Sequence, residues 1–205
     1  GYTCGDLFFQ DSLIYHAKEN VKKITRFTKD KELLVVIGFP YEHEGVLYNT
    51  AAVIQKGEVL GLVPKTNVET YEARYFTQGP SAASKVDFMG REVYFGSKLL
   101  FESRDMVEFV IEVRIGMEHL TSEATVIANL SASEELIGRA DYRRQFIKSE
   151  SMRLSSGYIY VEAGEGESTT NSVYSGHNLI AEDGIILKES EPFKYKLIYS
   201  EIDFG

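Results

Sequence analysis

Lys65 is the side chain in this sequence best placed to do chemistry. It follows Pro64 at the end of the apolar run Val59 to Val63, where an irregular stretch rich in Tyr and Glu begins. A lysine at a strand end beside such a loop can hold an anion or stabilise an oxyanion. The plainer reading is a solvated surface lysine. Other groups point less far. The Gly-rich run from Ala163 to Thr169 invites a phosphate-loop reading, but Glu165 and Glu167 would repel phosphate and no Lys follows. It reads instead as a turn after a buried strand. His16, His43, His119 and His177 share no metal-ligand spacing, and Cys4 has no second Cys beside it, so no metal site is expected. Glu134 and Glu135 could be a catalytic carboxylate pair; more simply, they are negative charges at the positive end of a following helix.

The elements that would carry these groups can be read from hydrophobic spacing. Asp11 to Phe27 predicts a helix, with Ile14, Ala17, Val21 and Ile24 on one stripe and Lys18, Lys22 and Lys23 off it. Leu33 to Pro40 is a continuous apolar run, the pattern of a strand buried on both faces. Val46 to Gln55 and Val59 to Val63 flank the turn Lys56-Gly57-Glu58 and predict a hairpin. Thr66 to Ser84 is long and irregular, of the kind that carries function. A second hairpin is expected from Lys85–Phe88 and Glu92–Tyr94 around Met89-Gly90-Arg91. Val107–Val113 and Ala124–Leu130 read as buried strands, Arg139–Ser155 as a helix, and Tyr158–Val161 as a strand. Ser175–Glu182 and Tyr195–Ile202 are expected to form the last pair, with a tight turn at Ala181 to Gly184. Strands and helices alternate without a repeat or a low-complexity linker, which predicts one α/β domain with mixed sheets.

The 205 residues are 43% hydrophobic and carry a formal charge of −9, so there is material for a core and no basic footprint for nucleic acid. The longest uncharged apolar run, Leu33 to Tyr41, is too short to span a bilayer. A lone Cys4 excludes an internal disulfide framework, and no signal segment opens the chain; a cytoplasmic setting is expected. The opening Gly1-Tyr2-Thr3-Cys4-Gly5-Asp6-Leu7-Phe8-Phe9 reads like the middle of a domain, as in a fragment or a sequence lacking some residues.

Several of these segments together resemble a known family. Val46 to Ile54, Gly57 and Gly61-Leu62-Val63-Pro64-Lys65 are similar to the middle of the nitrilase (carbon–nitrogen hydrolase) superfamily. Within it the chain resembles the glutaminase domains of glutamine-dependent NAD synthetases. That narrower likeness rests on Gly1 to Phe8, Val63 to Asn67, Tyr71 to Phe76, Asn129 to Ser133, Gly138 to Arg144, Gly166 to Thr170 and Ser175 to Glu182. It covers nearly the whole chain.

The resemblance implies a nitrilase-like four-layer α-β-β-α sandwich and a Glu–Lys–Cys triad. In that mechanism a cysteine thiolate attacks the side-chain amide of glutamine, a glutamate moves the proton, and the lysine stabilises the oxyanion. Ammonia leaves, and water releases glutamate. Lys65 matches the triad lysine. Ser133 and Arg139 match residues that bind glutamine, Arg139 being suited to its carboxylate. Tyr71 is the nearest candidate for a glutamine-contacting tyrosine; its loop is shorter than the family's, so it alternatively matches a later tyrosine. Glu72, in the same loop, is the candidate accessory carboxylate. The resemblance further implies no cofactor in this domain, with ATP and Mg²⁺ used by a synthetase domain absent here. Its implied partners are L-glutamine, that synthetase domain, and further copies of the chain in a homo-oligomer.

The sequence departs from the family at two triad positions. The general-base Glu is expected upstream of Gly1. The nucleophile is expected after Val107–Val113 in a segment of the type Glu-Ile-Cys-Glu-Asp, but Glu112-Val113 is followed by Arg114-Ile115-Gly116-Met117. Cys4 belongs to another motif. Either stretches upstream of Gly1, after Asn67 and after Val113 are missing from residues 1–205, which the intact substrate motif favours, or the cysteine has been lost. Three functions follow: a glutamine amidohydrolase feeding ammonia to NAD synthesis, a stand-alone nitrilase-type amidase, and a degenerate assembly or regulatory module.

Overall fold

The computed structural model describes residues 2–169 and 171–203. Gly1 and Thr170, which figure in two motif segments above, lie outside the described residues, as do Phe204 and Gly205. The chain divides into two compact units, Cys4–Leu99 and Leu100–Gly205 with Gly1–Thr3.

In the unit Cys4–Leu99, a 3-10 turn (Gly5–Phe9) precedes helix α1 (Asp11–Phe27). Five strands follow: β1 (Leu34–His43), β2 (Val46–Gln55), β3 (Glu58–Pro64), β4 (Ser84–Phe88) and β5 (Arg91–Phe95). They form one sheet in the order β1-β2-β3-β5-β4, antiparallel except for the β3–β5 pair. Helix α1 turns the expected stripe inward: Val21 is buried in the core with Ile24 packed beside it. Ala52, Ile54, Leu62, Val86, Phe88 and Phe95 complete that core. The run starting at Leu33 does form a strand, but it is not buried on both faces. β1 is the sheet edge and is mostly half-buried. It continues through Pro40, which an edge tolerates because no ladder hydrogen bond is lost on the open side.

The unit containing Leu100–Gly205 holds β6 (Leu100–Glu102), β7 (Val110–Ile115), β8 (Val126–Ser131), helix α2 (Arg139–Leu154), β9 (Gly157–Glu162), β10 (Leu179–Glu182) and β11 (Ile185–Glu189). Their order is β11-β10-β9-β8-β7-β6, with β7, β8 and β9 parallel and the outer pairs antiparallel. Phe146 and Ile147 of α2 pack on Tyr158, Tyr160, Leu179 and Ala181. Both sheets are therefore mixed, as expected. The last pair is a correction: β10 pairs with Ile185–Glu189, and 195–202 forms no strand. The turn Asp183-Gly184 decides this. Both residues have positive φ, 45° and 81°, which suits a two-residue hairpin and returns the chain at once onto β10. Lys56-Gly57 and Met89-Gly90 close the other two expected hairpins in the same way, and Glu44-Gly45 closes β1–β2, a turn not singled out in the sequence.

Candidate active site

Lys65 is held where β3 ends. Its N–H donates to Asn49 O of β2 at 2.8 Å, and its carbonyl accepts the Gly79 N–H at 2.8 Å, so the residue is tied to the neighbouring strand and to the returning irregular stretch. A Cβ at Gly79 would stand 2.4 Å from Pro64 Cβ; only glycine lets the returning chain come so close. The lysine is not a solvated one. It is 8% exposed, and its Nζ donates to Glu72 Oε1 at 2.8 Å and Oε2 at 2.6 Å.

Glu72 opens the 3-10 turn Glu72–Arg74 and is fully buried. The Glu69 N–H donates to its Oε2 at 2.8 Å. Burial pushes the Glu72 carboxyl up to about 7, while the Glu69 N–H pulls against that shift. The Lys65 ammonium opposes it too. Such a carboxyl can hold or release a proton near neutral pH, in contact with a cation. Tyr71 immediately precedes this turn and is half exposed. Behind the turn, Arg74 reaches Asp6 through Nε and Nη2, both at 3.0 Å, and Tyr75 donates to the same carboxylate at 3.1 Å. These bonds hold the Asp6 carboxyl below its usual range. Phe8 packs on Phe76 at 4.9 Å. The motif segment around Asp6 and that around Arg74, 68 residues apart, are thus locked together.

Ser133 and Arg139 lie in the other unit, between β8 and the first turn of α2. Ser133 Oγ and Arg139 Nε are both buried without a hydrogen-bond partner among the described residues. The Arg139 guanidinium lies over the Tyr142 ring at 5.4 Å. Glu134 and Glu135 do not sit at the helix start, since α2 begins at Arg139. Ser172 donates to Glu134, and the fully buried Arg143 of α2 donates to Glu135. Ser133 N–H donates to Glu162 at 2.6 Å. His177 is fully buried against Glu189 at 2.6 Å, and Arg144 Nε donates to the same carboxylate at 2.7 Å. Burial holds the His177 imidazole below its usual value. The Gly-rich run is a turn as expected, a 3-10 turn over Glu165–Glu167.

Sequence reasoning singled out neither Arg143 nor Glu162. Their one visible signal is charge placed on apolar elements, Glu162 closing the run Tyr158 to Val161 and Arg143 beside Phe146 and Ile147. β7 carries no thiol. Arg114, 3% exposed, donates through Nε to Glu112 at 2.6 Å, through Nη1 to Glu150 at 3.5 Å and through Nη2 to Leu120 O at 3.2 Å. Among the described residues, no helix is long and apolar enough to cross a membrane.

No protein-family profile matches the chain. The glutamine-dependent NAD(+) synthetase of Mycobacterium bovis is 38% identical over 94% of this chain, which spans 30% of that protein. The crystal structure of a glutamine-dependent NAD(+) synthetase from Cytophaga hutchinsonii superposes with a TM-score of 0.86 at 26% identity, covering 96% of this chain and 33% of that one. Nit3 of Saccharomyces cerevisiae, a member of branch 10 of the nitrilase superfamily, shares the fold alone: TM-score 0.61 at 12% identity, over 85% of this chain and 61% of that one. The chain therefore spans about a third of the length of the synthetases it matches. At 38% identity over 94% of its length, the chain is similar to part of the glutamine-dependent NAD synthetases, and it has the α/β fold seen in nitrilase-superfamily members.

Proposed function

We propose that this chain is the glutamine-hydrolysing part of a glutamine-dependent NAD synthetase. The observation that carries the reading is the pair of buried polar atoms without partners, Ser133 Oγ and Arg139 Nε, on the two residues assigned to glutamine. Buried polar groups are normally paired, and a bound amino acid would pair these two. In this reading Arg139 takes the glutamine carboxylate, a planar donor fork suited to that group. Ser133 orients the substrate, and Tyr71 contacts it from the loop after Lys65. Lys65 faces the oxyanion that develops when a thiolate adds to the side-chain amide. Glu72 keeps the Lys65 ammonium in place and buffers its charge, the accessory role assigned to it.

In this mechanism a thiolate and a general-base glutamate complete the triad with Lys65. Ammonia then passes to the synthetase part, where ATP and Mg²⁺ serve the amidation of deamido-NAD; this part itself uses no cofactor. The protein works in the cytoplasm as a homo-oligomer.

Glutamate release from glutamine by the full-length natural protein is the test. Saturable hydrolysis is expected, with poor turnover of amides that lack the α-carboxylate. No glutamate release and no glutamine binding would overturn the reading. A second reading, a site that binds glutamine without hydrolysing it, is favoured by Arg114, which fills the end of β7 with buried ion pairs. Binding without turnover, with an intact mass near 23.1 kDa, would select it.

A further inference from the structure

Glu162 ends β9 with its side chain buried, and its partners Ser133, Tyr160, Ala163 and Arg143 all belong to the unit Leu100–Gly205 with Gly1–Thr3. Its Oε1 accepts two backbone donors, the Ser133 N–H at 2.6 Å and the Ala163 N–H at 3.2 Å. Its Oε2 accepts the Tyr160 hydroxyl and lies 3.7 Å from Arg143 Nη1. Arg143 donates through Nη2 to Glu135, whose Oε2 also takes the Ser175 hydroxyl at 2.5 Å. One buried guanidinium therefore links the carboxylate that grips Ser133 to a carboxylate two residues further along the same loop. Arg143 also lies one helical turn after Arg139, on the same side of α2.

As a device for stability alone this cluster is poor. Arg143 Nε and Nη1 make no hydrogen bond among the described residues, and burying a partly satisfied ion pair is worse than packing apolar groups of the same size. What the cluster does supply is direction. Glu162 Oε1 fixes the Ser133 N–H with one lone pair and the Ala163 N–H with the other, and the loop that follows is tied to the helix that begins with Arg139.

We propose that Glu162, braced by Arg143, is a positioning residue for recognition of the glutamine α-carboxylate, setting the Ser133 main chain relative to Arg139. The inference rests on the assignment of Ser133 and Arg139 to glutamine. Burial raises the Glu162 carboxyl against the pull of its donors, and Glu162→Gln is the isosteric change that removes its charge. It also changes direction on the Oε2 side, where the Tyr160 hydroxyl can turn to accept but the Arg143 guanidinium would face an amide N–H₂ donor against donor.

The test is calorimetry on the full-length protein with two ligands, glutamine and 4-aminobutanamide, which is glutamine without its α-carboxylate. Glu162→Gln should weaken glutamine about tenfold, the scale of one charged hydrogen bond, and leave the affinity for 4-aminobutanamide unchanged. Damage to the fold would instead lower the binding-competent fraction for both ligands. Tyr160→Phe keeps the ring packing but removes one donor to Glu162, and should shift the same selectivity in the same direction if the Gln variant does not fold. Equal glutamine affinity in wild type and variants, or equal weakening of both ligands, overturns the role of Glu162 alone. A wild-type protein that binds no glutamine overturns it together with the proposed function.

Discussion

Replacing Glu72 with Gln should change how the stability of this protein depends on pH, because the carboxyl sits between two opposed effects. Burial favours its neutral form; the Lys65 ammonium at 2.6–2.8 Å favours its charged form. If burial dominates, the folded carboxyl titrates at about 7 against 4.5 when unfolded. Between those values the native state holds a proton that the unfolded chain has released, so stability falls as pH rises. At about 1.4 kcal/mol for each tenfold change in proton concentration, the span amounts to about 3 kcal/mol. Glu72→Gln removes this contribution. The stability of wild type relative to Glu72→Gln should therefore be greatest near pH 4.5, fall through pH 7, and level off above. Urea unfolding of both proteins at half-unit steps from pH 5 to pH 8 reads this difference directly. A difference that stays flat, or that grows with pH, would mean Lys65 keeps Glu72 ionised throughout, and the reasoning from burial would be wrong.

Lys65→Ala should lower kcat for glutamine hydrolysis by roughly a hundredfold with little change in KM, since its charge acts on the oxyanion; on the order of 3 kcal/mol is lost with one such donor. Full activity of that variant would remove the lysine from the chemistry. Arg139→Ala should instead raise KM about ten- to hundredfold, the scale of a charged hydrogen bond made in ground and transition states alike; an unchanged KM would break the carboxylate assignment. Ile147→Ala, at a fully buried position in the core of its unit, should cost about 2–5 kcal/mol in urea unfolding. A cost below about 1 kcal/mol would show that α2 can settle into the space.

Local pattern was enough for several elements. Asp11–Phe27 was legible to the residue because its apolar stripe, its loss of pattern after Phe27 and its polar outer face all agree. The hairpins at Lys56-Gly57 and Met89-Gly90 were legible because a short glycine-containing turn between two apolar runs is a hairpin signal, and both residues of each pair do take positive φ. The strand at Tyr195–Ile202 was misread for the converse reason. Its alternation of apolar and polar residues is real, but Tyr195, Leu197 and Tyr199 stay exposed, since Asp183-Gly184 has already given β10 its partner. Alternation states what a strand would look like and not whether an edge is open to it.

From the amino-acid sequence alone came Lys65 at a strand end, the individual strand and hairpin patterns, the motif segments that resemble the nitrilase superfamily, and the absence of a cysteine after Val113. Each is a property of neighbouring residues or of their order. Only the tertiary structure decided what those residues touch. Lys65 turned out to be buried on Glu72, Asp6 to be clasped by Arg74, and Glu135 to serve Arg143 instead of the helix start. Glu162 likewise proved to be the acceptor that holds the Ser133 peptide. The reason is physical. A charged residue in a sequence looks solvated by default, and its burial becomes affordable only when a partner from a distant segment arrives with the fold.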